Sequence, residues 1–434
     1  MRMSRFGTPG RLAFAATLVT VLVTAPLGGP AARAHLPGPT PAAAPAAERP
    51  ATLDPGRLRA TLEATRATGM YGLYSTVRAG GERWQGASGV ADVRTRRPVE
   101  PGLTHRVGDV TAMFTAVAVL RQAERGRLRL DDPVAAHLPD LFPDDRGQRV
   151  TVRMLLDHTS GVADHRHATF PSLTERSPAS LDAGRRRRAD VDRLIDRGVS
   201  APPTGVPGER WSYSTTNTLV AGRVLEKVTG ERAEDVITRD VIRRAGLRHT
   251  AFPRQPRLRS PHARAYEGLY GGLTPPRDYS DYDMSYAWTA GALASTMDDL
   301  TRFQRALFQG RLLDARSLAE MRRTVPATDG TTAFRYGLGL AAFDLSCGTF
   351  WGHDGAVFGA GTRVLSGPDG ERQLAVGWNL TGYQRLDGAG RPVVHPIDNA
   401  LRAHVEQALC GGPDTLPAGP GSQPMPLVHL DPAR

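Results

Sequence analysis

The stretch that decides the fold of this chain is Gly108-Asp109-Val110-Thr111-Ala112-Met113-Phe114-Thr115-Ala116. It opens a pattern of apolar residues three and four positions apart that continues through Leu120, which predicts an amphipathic helix over residues 109–124. Asp109 is a residue type favoured as a helix N-cap, and Gly126 is typical of a helix end. The pattern therefore predicts a helix that begins at Asp109 and turns one face to the core.

Elements on both sides of this helix follow the order helix, strands, helices, strands, helix. The expected helices cover residues 53–68, 109–124, 215–228, 296–307 and 397–409, and the expected strands cover residues 70–78, 82–87, 336–343, 362–366 and 372–380. Strands from the two ends of the chain can pair in one antiparallel sheet, with the middle as an inserted, mostly helical region. The sequence thus predicts an α+β fold in which helices flank an antiparallel sheet, with a site where sheet and insertion meet.

The N-terminus has the features of a secretory signal peptide. Three arginines precede an apolar run over residues 12–26, and Ala32-Arg33-Ala34 fits an A-x-A cleavage pattern. The run is short and interrupted for a membrane anchor, so we expect cleavage after Ala34 and a secreted or cell-envelope protein without a membrane span. The segments expected after it are an Ala- and Pro-rich linker (35–52), the main folded domain (53–411) and a flexible Pro- and Gly-rich tail (412–434).

Charge and composition limit the partners of the chain. Its 434 residues carry a formal net charge of +11, and loss of the four arginines and no acids before residue 35 leaves +7. A basic exported protein can rest on an anionic cell wall or membrane surface. We expect no nucleic acid, because no recognition motif is present, and we expect the run Arg185-Arg186-Arg187-Arg188 to be a solvated loop. Nothing in the sequence indicates an oligomeric state.

Cys347 and Cys410 are the two cysteines of the sequence. In an oxidising compartment two thiols are expected to pair, and this pair would tie a strand near the expected site to the C-terminal helix. Two free buried thiols are the alternative. No histidines have a metal-ligand spacing such as His-Glu-x-x-His, so we expect no metal and no cofactor.

Several motifs stand in a fixed order along the chain. They are Gly89-Val90-Ala91-Asp92 and Arg106-Val107-Gly108 before the helix, GRLRLDDPV (126–134) after it, MLLDHTSG (154–161), PGERWSYS (207–214) and WGHDG (351–355). In this order they resemble the class C β-lactamase / D-alanyl-D-alanine carboxypeptidase family of serine hydrolases over roughly residues 53–411. The resemblance implies a β-lactamase/transpeptidase-like fold.

The resemblance also implies an active site built from three motifs, of which the first is altered. In the family, a Ser-x-x-Lys motif supplies a nucleophile and, one helical turn later, the base that accepts its proton. Asp109 occupies the serine position of this chain, and Ala112 occupies the lysine position. Lys227 is the single lysine of the sequence, and no Ser precedes it by three residues. The nucleophile and its base are therefore both replaced.

The other two motifs are partly kept. The family's Tyr-x-Asn motif supplies a proton-shuttling tyrosine and a substrate-binding asparagine; Tyr213 matches the first, and Thr215 stands at the second. The third motif, Lys- or His-x-Gly, binds the substrate carboxylate and helps to form the oxyanion pocket. His353 and Gly355 match it, and we take Asp354 and Gly355 as candidate substrate-binding residues.

Two functions from different classes remain open. Attack by Asp109 on an amide would form a mixed anhydride, and nothing in the sequence specifically supports a general base at this position. An aspartate at a helix N-terminus and an alanine within the helix also have plain structural explanations. We therefore expect a non-catalytic binding protein at the cell envelope, with a cell-wall peptide or a protein partner in the cleft. The alternative is an active hydrolase of peptides, esters or β-lactams with altered catalytic residues.

Overall fold

The computed structural model describes residues 52–330 and 332–412. All of them lie in the second of the two units into which the chain divides after Pro45. The expected signal peptide, most of the linker and the tail from residue 413 fall outside the described residues. Within the described part, no helix has the length and apolar composition needed to cross a bilayer.

A nine-stranded antiparallel sheet forms the centre of the described domain. All strands of the described domain, including those outside this sheet, are β1 (Gly72–Ala79), β2 (Glu82–Asp92), β3 (Arg97–Pro98), β4 (His105–Arg106), β5 (Tyr266–Glu267), β6 (Arg277–Asp278), β7 (Ala294–Ser295), β8 (Val325–Thr328), β9 (Ala333–Tyr336), β10 (Ala341–Leu345), β11 (Gly348–Val357), β12 (Ala360–Ser366), β13 (Arg372–Trp378) and β14 (Leu380–Thr381). The order in the large sheet is β3-β2-β1-β13-β12-β11-β10-β9-β8. Strands β1 and β13 pair with Thr76 opposite Ala375, so the two ends of the chain share one sheet, as predicted.

Helices cover both faces of this sheet. They are α1 (Pro55–Ala67), α2 (Thr111–Glu124), α3 (Arg146–Arg149), α4 (Val152–Leu156), α5 (His165–Thr169), α6 (Ser172–Glu175), α7 (Ala179–Gly184), α8 (Val191–Ser200), α9 (Thr215–Thr229), α10 (Ala233–Ile237), α11 (Trp288–Gly291), α12 (Met297–Phe308), α13 (Ala315–Met321) and α14 (Pro396–Cys410). Helices α1 and α14 pack on one face, whereas α12 packs on β12 and β13 from the other. Helices α3 to α11 belong to the region between β4 and β7, which confirms the predicted α+β fold with a helical insertion.

A buried histidine, in addition to apolar contacts, links helices α1 and α14 to the face of the sheet on which they pack. His404 on α14 is fully buried; its Nδ1 lies 2.8 Å from Thr61 Oγ1 on α1, and its Nε2 lies 2.9 Å from Ser75 Oγ on β1. The start of α1 is fixed by Asp54, whose side chain accepts a hydrogen bond from the Arg57 N–H at 3.0 Å. Aspartate is one of the residue types favoured at this N-cap position.

Helix α2 is more deeply buried than its sequence pattern predicts. Every residue from Thr111 to Leu120 is buried, so the helix has no solvent face over this length. It lies between the sheet and the helical insertion, and Phe114 stacks on Phe303 of α12 with ring centroids 3.9 Å apart. The expectation of an amphipathic helix was therefore wrong, because apolar or small residues at nearly every position suit a helix covered on all sides.

The expected strand over residues 336–343 is two strands. It divides into β9 and β10, and the chain turns between them at Gly337. A Cβ atom at Gly337 would lie 2.2 Å from the carbonyl oxygen of Met321, so only glycine fits against α13 at this point. The apolar run looked continuous in sequence because every residue from 336 to 343 is buried.

Cys347 and Cys410 form a disulfide bond, as predicted. Cys347 lies in the turn between β10 and β11, and Cys410 is the last residue of α14. The bond therefore holds the C-terminal helix against the sheet strand that carries the third motif.

Removal of this bond should lower the stability of the domain. The two cysteines are 63 residues apart, a long loop whose closure restricts the unfolded chain. We expect the variant C347A/C410A to lose about 2–4 kcal/mol of unfolding free energy. Urea unfolding followed by tryptophan fluorescence measures the loss, with the reduced wild-type protein as the matched control. An unchanged urea midpoint in both would contradict this role.

Candidate active site

A direct backbone contact places Asp109. The 3-10 turn Gly108–Val110 precedes α2, and strand β11 runs against it. A Cβ atom at Gly355 would lie 2.3 Å from the Val107 carbonyl oxygen and 2.5 Å from the Asp109 nitrogen. Gly108, at φ +55°, is equally confined, because its Cβ atom would lie 2.7 Å from the Ala356 nitrogen. Gly355 is thus required for close approach of the two backbones.

The Asp109 side chain is only 3% exposed and accepts two hydrogen bonds. Tyr213 Oη donates to Oδ1 at 2.9 Å, and the Ala356 N–H of β11 donates to Oδ2 at 3.3 Å. The N-cap role expected for Asp109 is wrong: α2 begins at Thr111, and no side chain caps its N-terminus. The carboxylate instead reaches across to the insertion and the sheet.

Tyr213 is held as a neutral phenol. Burial, and then the charge of Asp109, raise the pKa of Tyr213 well above its usual value. The ring packs 4.3 Å from the His158 ring, and the Arg166 guanidinium carbon lies 5.9 Å from its centroid. Because the hydroxyl stays protonated and donates to Asp109, it is a donor in this site and not a base.

Thr215 at the start of α9 is tied to a charged pair that the sequence did not reveal. Its Oγ1 donates to Asp164 Oδ1 at 2.5 Å, and its N–H donates to Oδ2 at 3.1 Å. Asp164 in turn forms an ion pair with Arg166 at 2.9 Å. Burial would raise the pKa of Asp164, but Arg166 and His165 outweigh burial and hold that pKa below its usual range.

Arg166 brings a positive charge towards Asp109. Burial alone would lower the pKa of its guanidinium, but Asp164, followed by Asp109, raises it above its usual value. An arginine cannot accept a proton in a protein, so it supplies charge without supplying a base. Ala112, one helical turn after Asp109, is buried and does not line the cleft.

The third motif divides between the two faces of β11. His353 is fully buried on the side of Tyr213, with ring centroids 6.3 Å apart, and its Nε2 lies 2.8 Å from Tyr336 Oη. Asp354 points to the opposite face, where it pairs with Arg363 on β12 at 3.0 Å. The structure therefore does not bring Asp354 to Asp109, because neighbouring residues of a strand face opposite sides of a sheet.

Asp109 lies in a cleft of about 920 Å³ between the sheet and the helical insertion. Its walls are largely apolar and include three aromatic residues, Tyr270, Tyr286 and Phe358. A second carboxyl group, Glu267, also lines the cleft and was not predicted from sequence. Burial raises the pKa of Glu267, although its carboxyl group accepts hydrogen bonds from Thr381 Oγ1 at 2.6 Å and the Leu269 N–H at 2.8 Å.

The cleft rim contains strained backbone. Leu269 and Tyr270 adopt φ angles of +44° and +54°, a conformation that costs non-glycine residues roughly 1–2 kcal/mol each. The strain is held by the hydrogen bond from Leu269 to Glu267 and by one from the Tyr270 N–H to the Gly382 carbonyl at 2.7 Å. Among the described residues, no group of three or more His, Cys, Asp and Glu side chains is arranged to hold a metal ion.

Residues 57–395 match the family model named Beta-lactamase. The chain belongs to the β-lactamase family. Penicillin-binding protein 4 of Amycolatopsis lactamdurans is 31% identical over 291 residues, which cover 63% of this chain and 71% of the relative. Esterase EstB of Burkholderia gladioli is 33% identical over 210 residues, or 46% of this chain and 53% of the esterase, so the chain spans about half of that relative.

Solved structures agree with this assignment. A D-stereospecific amidohydrolase from Streptomyces sp. has a TM-score of 0.73 at 32% identity, covering 83% of this chain and 100% of that chain. A D-amino acid amidase from Ochrobactrum anthropi, at 23% identity and a TM-score of 0.65, shares the fold over 75% of this chain and 90% of that chain. The predicted family and fold are confirmed, and the relatives include amidases, esterases and penicillin-binding proteins.

This β-lactamase family member should lose stability as the pH falls below about 6.5. Burial lowers the pKa of His404 and His158 to about 3, and that of His105 and His165 to about 4. The unfolded chain binds protons at these histidines below pH ~6.5, whereas the folded protein does so only near the lowered values. Each histidine therefore costs up to about 1.4 kcal/mol of stability per pH unit within that window.

His404 offers a test of this pH dependence. Urea unfolding at pH 7.5, 6 and 5 should show a smaller fall in unfolding free energy for His404→Gln than for the wild type. The difference between the two proteins separates His404 from carboxyl groups such as Glu267, whose raised pKa acts in the opposite direction. Equal pH slopes would contradict a neutral buried His404.

Proposed function

We propose that this protein is a non-catalytic binding protein of the cell envelope that holds its ligand in the cleft of the β-lactamase fold. One observation carries the proposal: at the position of the family's nucleophilic serine, the Asp109 carboxylate accepts hydrogen bonds from Tyr213 Oη and the Ala356 N–H. The groups that would activate a nucleophile and receive a developing negative charge are thus already engaged by the Asp109 side chain.

The remaining groups of the site do not restore acyl-enzyme chemistry. Tyr213 is protonated and donates to Asp109, Arg166 cannot take up a proton, and the methyl group of Ala112 has none to exchange. An acyl-enzyme would need the carboxylate to attack an amide and form a mixed anhydride, which is less stable than the ester formed by serine. A site of this composition supports binding better than covalent catalysis.

The chemistry of the cleft also limits the ligand. Each oxygen of Asp109 has acceptor capacity left, because a carboxylate offers about four lone-pair sites and two hydrogen bonds are observed. Aromatic walls beside a carboxylate suit a peptide-like ligand that brings an ammonium or amide N–H to Asp109. The names of the relatives refer to penicillin binding and D-stereospecific amide hydrolysis, which supports a cell-wall peptide with D-residues as the ligand class.

The envelope location rests on the sequence and the disulfide. Residues 1–34 have the composition of a signal peptide, and a disulfide bond persists in oxidising compartments. A protein partner in the cleft is the other occupant that the same surface could take.

Covalent labelling tests the loss of acylation. We expect no adduct when the wild type is incubated with a fluorescent penicillin, and a slow adduct on D109S/A112K, since the variant regains a hydroxyl and an amine one helical turn apart. Intact mass measures the adduct. The single variant A112K is the matched control, because it gains the amine without the nucleophile and should stay unlabelled.

An adduct on the wild type would overturn the proposal and identify an active hydrolase. Turnover of p-nitrophenyl acetate and D-alanine p-nitroanilide should be measured in parallel. Wild-type turnover that disappears in Asp109→Asn would likewise assign catalysis to Asp109 and contradict the proposed non-catalytic function. If D109S/A112K remains unlabelled, T215N is added, which completes the family's Tyr-x-Asn motif.

Ligand preference gives a second test. D-phenylalaninamide, a cation with amide donors, should bind the wild type at least about tenfold more tightly than N-acetyl-D-phenylalanine, an anion; tenfold corresponds to about 1.4 kcal/mol. Asp109→Asn should narrow this preference. Glu63→Gln on α1, which removes one exposed negative charge away from the cleft, should leave it unchanged in isothermal titration calorimetry. Tighter binding of the anion to the wild type would contradict the proposed ligand class.

A further inference from the structure

Two adjoining cavities outside the cleft form a groove rich in arginine. They have volumes of about 950 and 1090 Å³ and share Gln255 in their walls. We name them together the basic groove, after the arginines that line it: Arg188, Arg223, Arg232 and Arg254 in the first cavity, and Arg97, Arg257, Arg259 and Arg264 in the second.

The acids of the groove do not neutralise this charge. Four carboxylates line it, and three of them pair with groove arginines: Glu226 with Arg223 at 2.5 Å, Glu234 with Arg232 at 3.2 Å, and Asp92 with Arg264 at 3.8 Å; the fourth is Asp283. The other five arginines of the groove are exposed and form no ion pair within the described part of the chain: Arg97, Arg188, Arg254, Arg257 and Arg259. The groove therefore keeps an excess of guanidinium groups facing solvent.

Two of the segments that carry these arginines, the run that ends at Arg188 and the loop over residues 254–259, are both held by the backbone of Tyr282 and Asp283. The run that ends at Arg188 is bound by the Asp283 N–H, which donates to the Arg185 carbonyl at 2.9 Å. The loop that carries Arg254 is bound by the Tyr282 N–H, which donates to the Pro256 carbonyl at 3.1 Å. The run keeps the solvated loop character expected from the sequence, since Arg186, Arg187 and Arg188 are exposed, and Arg188 lines the same cavity as Arg254.

The segment that follows Tyr282 and Asp283 separates the groove from the cleft. Tyr286, Ala287 and Gly291 face the cleft, whereas Ser285 and Trp288 face the groove. The Arg223 guanidinium lies 4.9 Å from the centroid of the Trp288 ring, and this cation–π contact forms part of the groove wall. A ligand in the groove would leave the cleft open, so both can be occupied together.

We propose that the basic groove binds a linear, base-free polymer that repeats phosphate groups; a nucleic acid is not the expected occupant, because the sequence has no recognition motif for one. The guanidinium fork matches phosphate oxygens in pairs, and arginines spread along a concave path suit an extended chain better than a flat bilayer. This site does not depend on the proposed non-catalytic function of the cleft, because it shares none of the residues around Asp109.

Binding of long-chain polyphosphate to the full mature protein tests the groove. We expect R254Q/R257Q/R259Q to bind at least tenfold more weakly than the wild type at equal salt. The slope of log affinity against log salt should be shallower by about 0.7 for each lost phosphate contact. The control R59Q/R129Q/R316Q removes three exposed arginines outside the groove and should bind within twofold of the wild type. Thermal unfolding midpoints verify that both variants are folded.

Two further probes identify the source of the phosphates and the competing surface. Tighter binding of polyphosphate than of oligothymidylate would support a base-free polymer, whereas the reverse would overturn the proposal in favour of a nucleic acid. Equal losses in the groove and control variants would overturn the proposal, because binding would then follow net charge alone. Binding to phosphatidylglycerol vesicles without binding to polyphosphate would overturn it in favour of a membrane surface.

Discussion

The site depends on one contact, the direct packing of the β11 backbone at Gly355 against the turn that precedes α2. No side chain fits between them, because a Cβ atom at Gly355 would overlap the backbone of the turn. This contact joins the sheet to the buried helix and places the Ala356 N–H within reach of Asp109. The cleft, its aromatic walls and the position of Tyr213 follow from the two elements that meet there.

The charges around Asp109 form a self-contained set. Arg166 forms an ion pair with Asp164 and is also attracted by the charge of Asp109. Tyr213 Oη donates a hydrogen bond to Asp109 from the side of the helical insertion. A buried carboxylate without such partners would be strongly destabilised, so the replacement of serine by aspartate is compatible with the fold because a cation and two donors surround it. The same partners are the basis of our proposal that the site binds a ligand without proton transfer.

The groove and the cleft differ in whether their charged groups are exposed or buried. In the cleft, charges are buried and paired, and apolar walls provide most of the surface. In the basic groove, unpaired guanidinium groups stay in water while the backbone beneath them is fixed by hydrogen bonds to residues 282 and 283. Interactions with a polymer there would weaken with salt, whereas binding in the cleft would depend on shape and on Asp109.

Sequence alone determined the elements and the family. Periodicity located the main helices and strands, their order predicted the α+β fold, motif order predicted the family, and two cysteines in a chain expected to be exported predicted the disulfide. The family resemblance also predicted that Asp109 and Ala112 stand at the positions of the nucleophile and its base. Local pattern does not reveal what covers a helix or which face of a sheet a side chain takes. The burial of α2 and the position of Asp354 on the face opposite Asp109 were therefore missed.

Only the tertiary structure decided what surrounds Asp109 and where the free arginines gather. Arg166 and Glu267 lie more than fifty residues away in sequence, and no motif marks either as part of the site. The N-cap role inferred for Asp109 failed because the side chain finds stronger partners across the cleft than along its own helix. The physical reason is that side-chain charge acts over a few ångströms in space, and only folding sets which residues lie within that distance.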